Sequence, residues 1–204
     1  MSFGLVKHNN NSISAITTAG TLSSGSAVKL QTQTASGSSS VAFTSNINST
    51  YRIYLFKFIN IHPSGTNRFQ VNFSSDGGSN YNVSKTTNVW IAAIQEGGSD
   101  NALTKQTGDD LSVNTSYQDL MAYGNQDADD DHSLNGTLHL YDPSNTTFWK
   151  NFSSRSQGNI DTNYTASAFV AGQLRTTSAI NAINFQMSSG TFDGTITMYG
   201  LKDS

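Results

Sequence analysis

The alternation of apolar and polar residues predicts short β-strands along most of this chain. The clearest stretch is 51–94, in which three apolar runs are separated by the turn residues His-Pro-Ser-Gly and Ser-Ser-Asp-Gly-Gly-Ser-Asn. Apolar residues recur at every second position, which is typical of strands because successive side chains point to opposite faces of a sheet. The stretch therefore predicts strand, turn, strand, turn, strand in an antiparallel architecture.

The first run, 51–61, is apolar on both faces. One face carries Tyr54, Phe56 and Phe58, and the other carries Ile53, Leu55, Ile59 and Ile61, interrupted by Lys57. A strand with two apolar faces is expected to be covered on both. The run is therefore either a central strand between two layers or a strand whose second face meets another subunit. Tyr54, Phe56 and Phe58 are expected to form a core face or an oligomer face.

Later segments extend the β pattern. Leu134–Tyr141 and Thr146–Ser154 flank Asp142-Pro-Ser-Asn145, which suits a type I turn, and they predict a hairpin. A strand is expected over Ala166–Leu174, and the run from Ile183 through a Gly-rich turn to Tyr199 predicts a closing hairpin. Only Leu111–Tyr123 has a spacing that suits a helix. The pattern as a whole predicts an all-β protein, an antiparallel β-sandwich of jelly-roll type.

The domain organisation follows from where this pattern begins. Residues 27–204 are expected to form a single β-sandwich domain. Residues 1–26 are mostly small and polar, which indicates an extended arm that would anchor the protein, or alternatively a disordered terminus.

Composition narrows the function. Ser, Thr and Asn supply 74 of 204 residues, only 12% are charged, and the net charge is −3. No run approaches the ~20 apolar residues of a membrane span, and the scattered Lys and Arg offer no basic run for phosphates, so neither membrane insertion nor nucleic-acid binding is expected. Cysteine is absent and the N-terminus has no apolar signal-peptide core. These features fit a protein that folds in a reducing cytoplasm and gains durability from oligomerisation.

Several motifs resemble a known group of proteins. The run from Tyr51 through Phe-Ile-Asn-Ile-His-Pro to Ser74-Ser-Asp-Gly-Gly-Ser-Asn-Tyr-Asn is similar to virion structural proteins of tailed phages, especially phages of marine bacteria, including the cyanobacterial phage type. Ser133-Leu-Asn-Gly-Thr-Leu-His-Leu-Tyr-Asp-Pro-Ser and Gly194-Thr-Ile-Thr-Met-Tyr-Gly200 resemble the same group, as do Phe169-Val-Ala-Gly and Ile183-Asn-Phe-Gln-Met-Ser-Ser-Gly. The similarity covers about residues 25–201.

This resemblance implies a non-enzymatic component of the phage particle: a fibre, a head decoration or a tail-associated protein. It implies synthesis in the host bacterial cytoplasm and partners that are sister subunits, with a homotrimer expected because phage fibres are usually trimers, together with other virion proteins. No catalytic residue is expected. The serine-nucleophile pattern G-x-S-x-G does not occur, and the four histidines are dispersed.

One loop has metal-ligand spacing. Asp127, Asp129 and Asp131 alternate as in a calcium loop, where hard oxygen ligands surround a hard cation. An EF-hand would have Gly at the position of His132 and Glu at the position of Leu138. A solvated acidic loop is therefore the preferred interpretation, and a calcium site outside the EF-hand family is the alternative. No other cofactor is expected.

The aromatic residues suggest a second function, a receptor-binding, lectin-like module that recognises host surface glycans. Trp90 and Tyr81 are the candidates for stacking on sugars, within a wider set of Trp and Tyr residues that also includes Trp149, Tyr51, Tyr123 and Tyr164. The alternative is ordinary packing in the core or at its rim, and this is favoured for Trp149 because it stands between Phe148 and Phe152.

Overall fold

The computed structural model describes residues 26–98, 100–161 and 163–202, and within them the chain forms strands and connecting turns with no helix. The strands in chain order are β1 (Ala27–Ser38), β2 (Ser40–Phe43), β3 (Ile53–Pro63), β4 (Phe69–Ser74), β5 (Lys85–Gln95), β6 (Asn101–Lys105), β7 (Gln118–Asp119), β8 (Leu134–Tyr141), β9 (Lys150–Ile160), β10 (Tyr164–Leu174), β11 (Ala182–Met187) and β12 (Phe192–Leu201). Nearly all of the predicted arm, 1–26, lies outside the described residues.

The strands form two antiparallel sheets, which confirms the predicted β-sandwich. One sheet has eight strands in the order β1-β12-β3-β8-β9-β10-β5-β6, and the other has four in the order β2-β11-β4-β7. Without β5, β6, β9 and β10, the two sheets reduce to β1-β12-β3-β8 and β2-β11-β4-β7. This nesting of early strands with late ones is the jelly-roll order. In the described part of the chain, no helix is long and apolar enough to cross a membrane.

Two insertions widen one sheet of this jelly roll. The pair β5–β6 is inserted between β4 and β7, and the pair β9–β10 between β8 and β11. Both add to the same edge, where β10 pairs with β5 from Tyr164↔Gln95 to Leu174↔Lys85 without a register shift. The larger sheet thus extends beyond the smaller one.

The core lies between the sheets and is dominated by phenylalanine. Phe185 of β11 touches the rings of Phe43, Phe56, Phe58 and Phe69, with centroids 5.7 to 6.3 Å apart. Phe56 and Phe58 belong to the larger sheet and the other three to the smaller one, so this cluster joins the two. Burial of large rings with edge-on contacts contributes strongly to stability. The contacts fix which face of each strand points inward.

The connection 106–126 covers the inner side of the inserted strands. Leu120, Met121 and Ala122 are fully buried and belong to the same hydrophobic cluster as Val89 and Val170. Arg68, just before β4, binds this connection by ion pairs to Asp109 and Asp119, the latter at 2.9 Å. One continuous core therefore serves both sheets and the insertion.

The predicted helix over Leu111–Tyr123 is wrong. The backbone of this segment pairs with the edge of β5 instead, through Lys85 N to Asn114 O at 2.9 Å and Asn114 N to Lys85 O at 3.0 Å. Val113 has a positive φ of 51°, which a helix does not allow. The side chain of Asn114 accepts a hydrogen bond from Ser116 N at 2.7 Å, the local competition that makes such residues poor helix formers.

The hairpin of β8 and β9 is confirmed, with Leu134↔Gly158 to Tyr141↔Asn151 in register, but the closing hairpin is wrong. β11 pairs with β2 and β4, whereas β12 pairs with β1 and β3. Likewise, no two of β3, β4 and β5 pair with each other. The Gly-rich turns between these strands carry the chain from one sheet to the other, because turn residues fix the bend but not the partner of each strand.

A bulge in β3 changes one predicted face. Asn60 has a φ of 52°, and the pairing with β8 shifts between Phe58 and Ile61. An extra residue reverses the alternation beyond it. Ile61 therefore enters the core, fully buried, instead of sharing the opposite face with Leu55 and Ile59.

The phenylalanine cluster generates a stability prediction. Phe185→Ala should lower the free energy of unfolding by about 3–5 kcal/mol, because it leaves a cavity between two sheets. The matched control is Phe148→Ala, since Phe148 is 69% exposed, and its effect should stay within about 0.5 kcal/mol. Urea denaturation of both variants measures the difference. Equal losses would contradict the assignment of Phe185 as the centre of the core.

Candidate functional site

The side of the eight-stranded sheet that faces away from the smaller sheet is left uncovered by the residues that the structure describes. We call this surface, formed by the outward residues of the eight strands, the outer face. Nine large hydrophobic side chains in the described residues are exposed, and six of them lie at outward positions of this sheet: Ile59, Trp90, Ile94, Leu103, Tyr141 and Phe169. Such a concentration of apolar side chains on one surface is typical of an interaction site.

Aromatic and cationic side chains are aligned across the outer face. Strand register places Trp90 opposite Phe169 and Phe169 opposite Arg155. The guanidinium carbon of Arg155 lies 5.3 Å from the centroid of the Phe169 ring, within the range of a cation–π contact. Trp90 is 48% exposed and Phe169 is 43% exposed, so both rings remain accessible.

This alignment crosses all eight strands and ends at Thr197 and Thr32. Its part from β6 to β3, over six strands, is here called the Trp90 row. It consists of Lys105, Trp90, Phe169, Arg155, Thr137 and Lys57. Adjacent strands lie about 4.8 Å apart, so five intervals give a row about 24 Å long.

Two shallow depressions follow this row. One, of about 470 Å³, is lined by Trp90, Phe169, Arg155, His139 and neighbouring small residues. The other, of about 620 Å³, is more polar, and its lining includes Asn135, Gln157, Asn159 and Thr165 together with one carboxylate, that of Asp131. Arg155 and Thr137 line both depressions. The two together offer stacking surfaces, a guanidinium and neutral amides on rigid strands, which suits a polar ligand with apolar faces.

The charge on the outer face is mainly of one sign. Among the described residues, its outward strand positions carry Lys29, Lys57, Lys105 and Arg155 and a single carboxylate, Asp193 near the start of β12, which accepts a hydrogen bond from Gly37 N at 2.7 Å. Lys105 binds Asp110 at 2.6 Å, but no ion pair in the described part of the chain involves the other three. Carboxylates lie only around the ends of the strands, for example Glu96 beside Asn159. A protein with a net charge of −3 thus presents a cationic sheet face.

His139 lies beside the row and stacks on Tyr141, with ring centroids 6.1 Å apart. Burial lowers the pKa of His139, so its imidazole is neutral at pH 7. The Tyr141 hydroxyl and Ser153 Oγ form a hydrogen bond of 3.0 Å. These groups therefore add neutral hydrogen-bonding surface to the depression and no further charge.

Tyr54, Phe56 and Phe58, which were expected in a core or an oligomer face, lie in the core and are fully buried. The Tyr54 hydroxyl donates to Asn48 O at 2.9 Å and accepts from Asn48 N at 3.0 Å. The other face of β3 is the one that remains open, and Ile59 on it is 42% exposed. Any subunit contact of this strand would therefore use the outer face.

The two residues predicted to stack on sugars are not brought together. Trp90 lies on the outer face, whereas Tyr81 lies in the connection between β4 and β5. Asn72, a buried residue of the smaller sheet, donates to Tyr81 O at 2.6 Å. The Tyr81 hydroxyl approaches Gly78, where an added Cβ would be 2.7 Å away. Tyr81 therefore packs against a turn and is no part of the Trp90 row.

Phe169 and Arg155 were missed by the sequence analysis, and a signal for Phe169 existed. In the strand Ala166–Leu174 the inward positions carry Ala166, Ala168 and Val170, and Phe169 is the one large residue of the opposite face. Arg155 lies beyond the predicted end of its strand at Ser154, but β9 continues to Ile160.

Trp149, for which packing in the core or at its rim was predicted, lies outside the core. It is 40% exposed, and the guanidinium carbon of Arg175 lies 4.6 Å from its ring centroid. It stands just before β9, and its neighbour Lys150 takes the inward position, fully buried. Trp149 and Arg175 form a second cation–π pair, outside the lining of both depressions.

The acidic loop brings together a group that differs from the predicted one. Ligand atoms of Asp127, Asp129 and His132 lie within 4.8 Å of one another. Asp131 is 91% exposed at its side chain and only reaches His132, at 3.7 Å. Asp127 accepts hydrogen bonds from Ala128 N at 2.7 Å and contacts His132 Nδ1 at 3.1 Å, so the loop is tied by its own polar groups. Two carboxylates and an imidazole could hold a metal, and the calcium site stays a prediction.

Two lysines are buried in the core without a carboxylate partner. Lys85 Nζ donates to the carbonyls of Ser116 at 2.6 Å and Val83 at 3.2 Å, and Lys150 Nζ donates to Thr176 O at 3.2 Å. Burial lowers the pKa of Lys85 to about 8, because the ammonium is removed from water. Both flank Leu174 on neighbouring strands, where they satisfy carbonyls of the connections.

Comparisons of the chain with protein-family models, with curated proteins and with solved structures gave no match. The resemblance to phage virion proteins therefore rests on the motifs themselves. In the structure, the Ser-Ser-Asp-Gly-Gly-Ser-Asn motif forms a turn organised by Asp76, whose carboxylate accepts from Ser74 Oγ at 2.6 Å and from Asn80 N at 2.9 Å. These bonds lower the pKa of Asp76 to about 2. The motif thus closes the turn through its own side chains.

The pKa of Lys85 generates a pH prediction. The unfolded chain, with a lysine pKa near 10.5, retains a proton that the folded protein releases above a pH of about 8. Stability should therefore rise as the pH increases from 8 to 10.5, by a contribution on the order of 3 kcal/mol. Lys85→Met should lose this rise, and Lys57→Met, on the exposed surface, should retain it. Urea denaturation across this pH range measures both, and an unchanged rise in Lys85→Met would contradict the assignment.

Proposed function

We propose that this protein is a non-enzymatic structural component of a tailed-phage particle, as a fibre, a head decoration or a tail-associated protein, made in the host cytoplasm and incorporated into the virion. The resemblance of its turn and strand motifs to virion proteins supports this proposal. So do the absence of cysteine and the low charge of the chain. Its action is assembly with sister subunits, as a homotrimer, and with other virion proteins.

The observation that carries the assembly proposal is the open second face of β3. Ile59 is 42% exposed, and Ile53 and Leu55 are only partly buried on the same side. Tyr199 and Leu201 of β12 and Tyr141 of β8 adjoin them. A sister subunit that covered this strip would bury apolar surface and contribute roughly 25 cal/mol for each Å² removed from water. The closed symmetry of most homo-oligomers agrees with a trimer.

The assembly proposal predicts a solution mass. At micromolar concentration the full chain should have three times its 21.9 kDa subunit mass by light scattering. Ile59→Asp should shift it to the monomer, because a carboxylate in an apolar contact loses its hydration without a partner. Phe148→Asp is the control, since Phe148 is equally apolar but lies in the β8–β9 connection. A wild-type protein that is monomeric at this concentration would refute the proposal.

A second candidate function is supported by the Trp90 row. A receptor-binding module that recognises host surface glycans needs exposed rings beside hydrogen-bonding groups on a rigid surface. Trp90, Phe169 and Arg155 meet this need on three adjacent strands, with Asn88 and His139 in the same depression. This function is compatible with the first, because the aromatic part of the row, on β5, β10 and β9, lies apart from the strip on β3, which the row meets only at Lys57.

Imaging of the native particle separates the two candidates. Gold-labelled antibodies against the chain should decorate the capsid lattice if the protein is a head decoration. They should mark only the tail or the fibre ends if it is a receptor-binding module. Particles without label at any position would refute the virion proposal as a whole.

A further inference from the structure

We propose that the Trp90 row binds an acidic polysaccharide, with sugar carboxylates bound by Arg155 and sugar rings stacked on Trp90 and Phe169. This inference rests on the glycan-binding candidate and specifies its ligand. It derives from three properties of the outer face: the sign of its charge, the order of groups in the row, and the length of the row.

The charge of the outer face selects an anion. Its outward strand positions carry four cations and one carboxylate, Asp193, among the described residues, although the chain holds 14 Asp and Glu. Arg155, Lys57 and Lys29 have no ion-pair partner in this part of the structure. A neutral glycan would gain no electrostatic attraction from these cations, whereas a uronate polymer carries the complementary negative charge.

Arg155 is positioned to receive a carboxylate. Its guanidinium rests over Phe169 at 5.3 Å, which limits its conformations while leaving its N–H groups free to point away from the sheet. A guanidinium binds a carboxylate through two parallel hydrogen bonds. Phe169 also adjoins Trp90, so a sugar that pairs with Arg155 has its neighbour beside an indole that is 48% exposed.

The length of the row favours a polymer over a single sugar. The row is about 24 Å long by the spacing of six strands. The two depressions meet at Arg155 and Thr137, and both are shallow, so a chain can enter and leave across the sheet edges. Asn135, Gln157 and Asn159 supply neutral amides along the polar depression, where they can bind sugar hydroxyls.

Two other occupants fit the row less well. A sister subunit packed face to face would bring Arg155 and the lysines of one copy toward those of the other, and like charges at an interface disfavour binding. Nucleic acid is bound chiefly through many phosphate contacts, and the row has one unpaired guanidinium with Lys57 two strands away.

The test uses the full-length chain in native gels that contain polygalacturonate, with neutral dextran and single-stranded oligothymidylate as parallel probes. We expect retardation by polygalacturonate alone, weakened when salt rises from about 0.05 to about 0.5 M. Arg155→Gln should reduce the affinity about tenfold, because a charge-assisted bidentate contact is lost. Trp90→Ala should reduce it by a similar factor, about tenfold, through loss of the stacking ring.

The second cation–π pair of the chain provides matched controls. Arg175→Gln and Trp149→Ala alter the same residue types in a different place. Arg175 follows the end of β10, and Trp149 precedes β9, six positions from Arg155 and about 20 Å along the strand. Each should change the affinity less than about twofold. Thermal melting checks that all four variants fold. Arg155 and Trp90 point to solvent, so their substitution should leave the fold intact.

The outcomes separate this inference from the proposals on which it rests. Equal retardation by dextran, or a normal affinity of Arg155→Gln, would overturn the acidic ligand and leave glycan binding intact. Binding to no polysaccharide would overturn both. Equally tight binding of oligothymidylate would replace the polysaccharide by nucleic acid. Assembly is measured independently. Ile59→Asp should lower the solution mass without changing the binding of each subunit to polygalacturonate, whereas Arg155→Gln should weaken that binding without changing the mass.

Discussion

The packing of phenylalanine rings between two unequal sheets is the interaction on which the remaining structure depends. Phe185 contacts rings from β2, β3 and β4, and these contacts fix the inward side of the central strands. Because side chains alternate along a strand, fixing the inward side also fixes the residues that point outward. The order of Trp90, Phe169 and Arg155 on the outer face is therefore a consequence of the core, propagated through strand register.

The larger sheet has eight strands and the smaller one has four, so part of the larger sheet faces no strands of the smaller one. The inserted strands have no partner sheet, so the connection 106–126 covers their inner side, with Leu120 and Met121 in the core. Connections carry backbone carbonyls that need donors when buried. Lys85 and Gln118 supply such donors, to Ser116 O and to Asp109 O at 3.1 Å. The buried lysine is thus explained by the polar backbone it satisfies, at the cost of a depressed pKa.

The same insertions divide the outer face into two regions. Around β3 and β12 the outward residues include Ile59, Leu55 and Tyr199 beside Lys57, and the apolar part of this region suits contact with a sister subunit. Across β9, β10 and β5 the outward residues include the aromatic rings, amides and Arg155 that line the two depressions, and this region suits a polar ligand. The virion role proposed above would use both kinds of contact, one to join the particle and one to meet the host. A jelly roll with a widened sheet can offer both on a single surface.

Local patterns in the sequence were enough to predict the fold class, the strands with strong alternation and the β8–β9 hairpin. These depend on local periodicity and on a turn whose two strands are adjacent in the chain. Long-range packing was needed to establish that β11 and β12 pair with strands far away in the sequence and that β10 pairs with β5. It also explains why the segment near Asn114 pairs with the edge of β5 instead of forming the expected helix. Trp90 was predicted as a binding residue, but Phe169 and Arg155, which lie beside it in the row, come from strands more than 60 positions away in sequence. A row across a sheet joins residues that share register and not sequence proximity, so local patterns cannot reveal it.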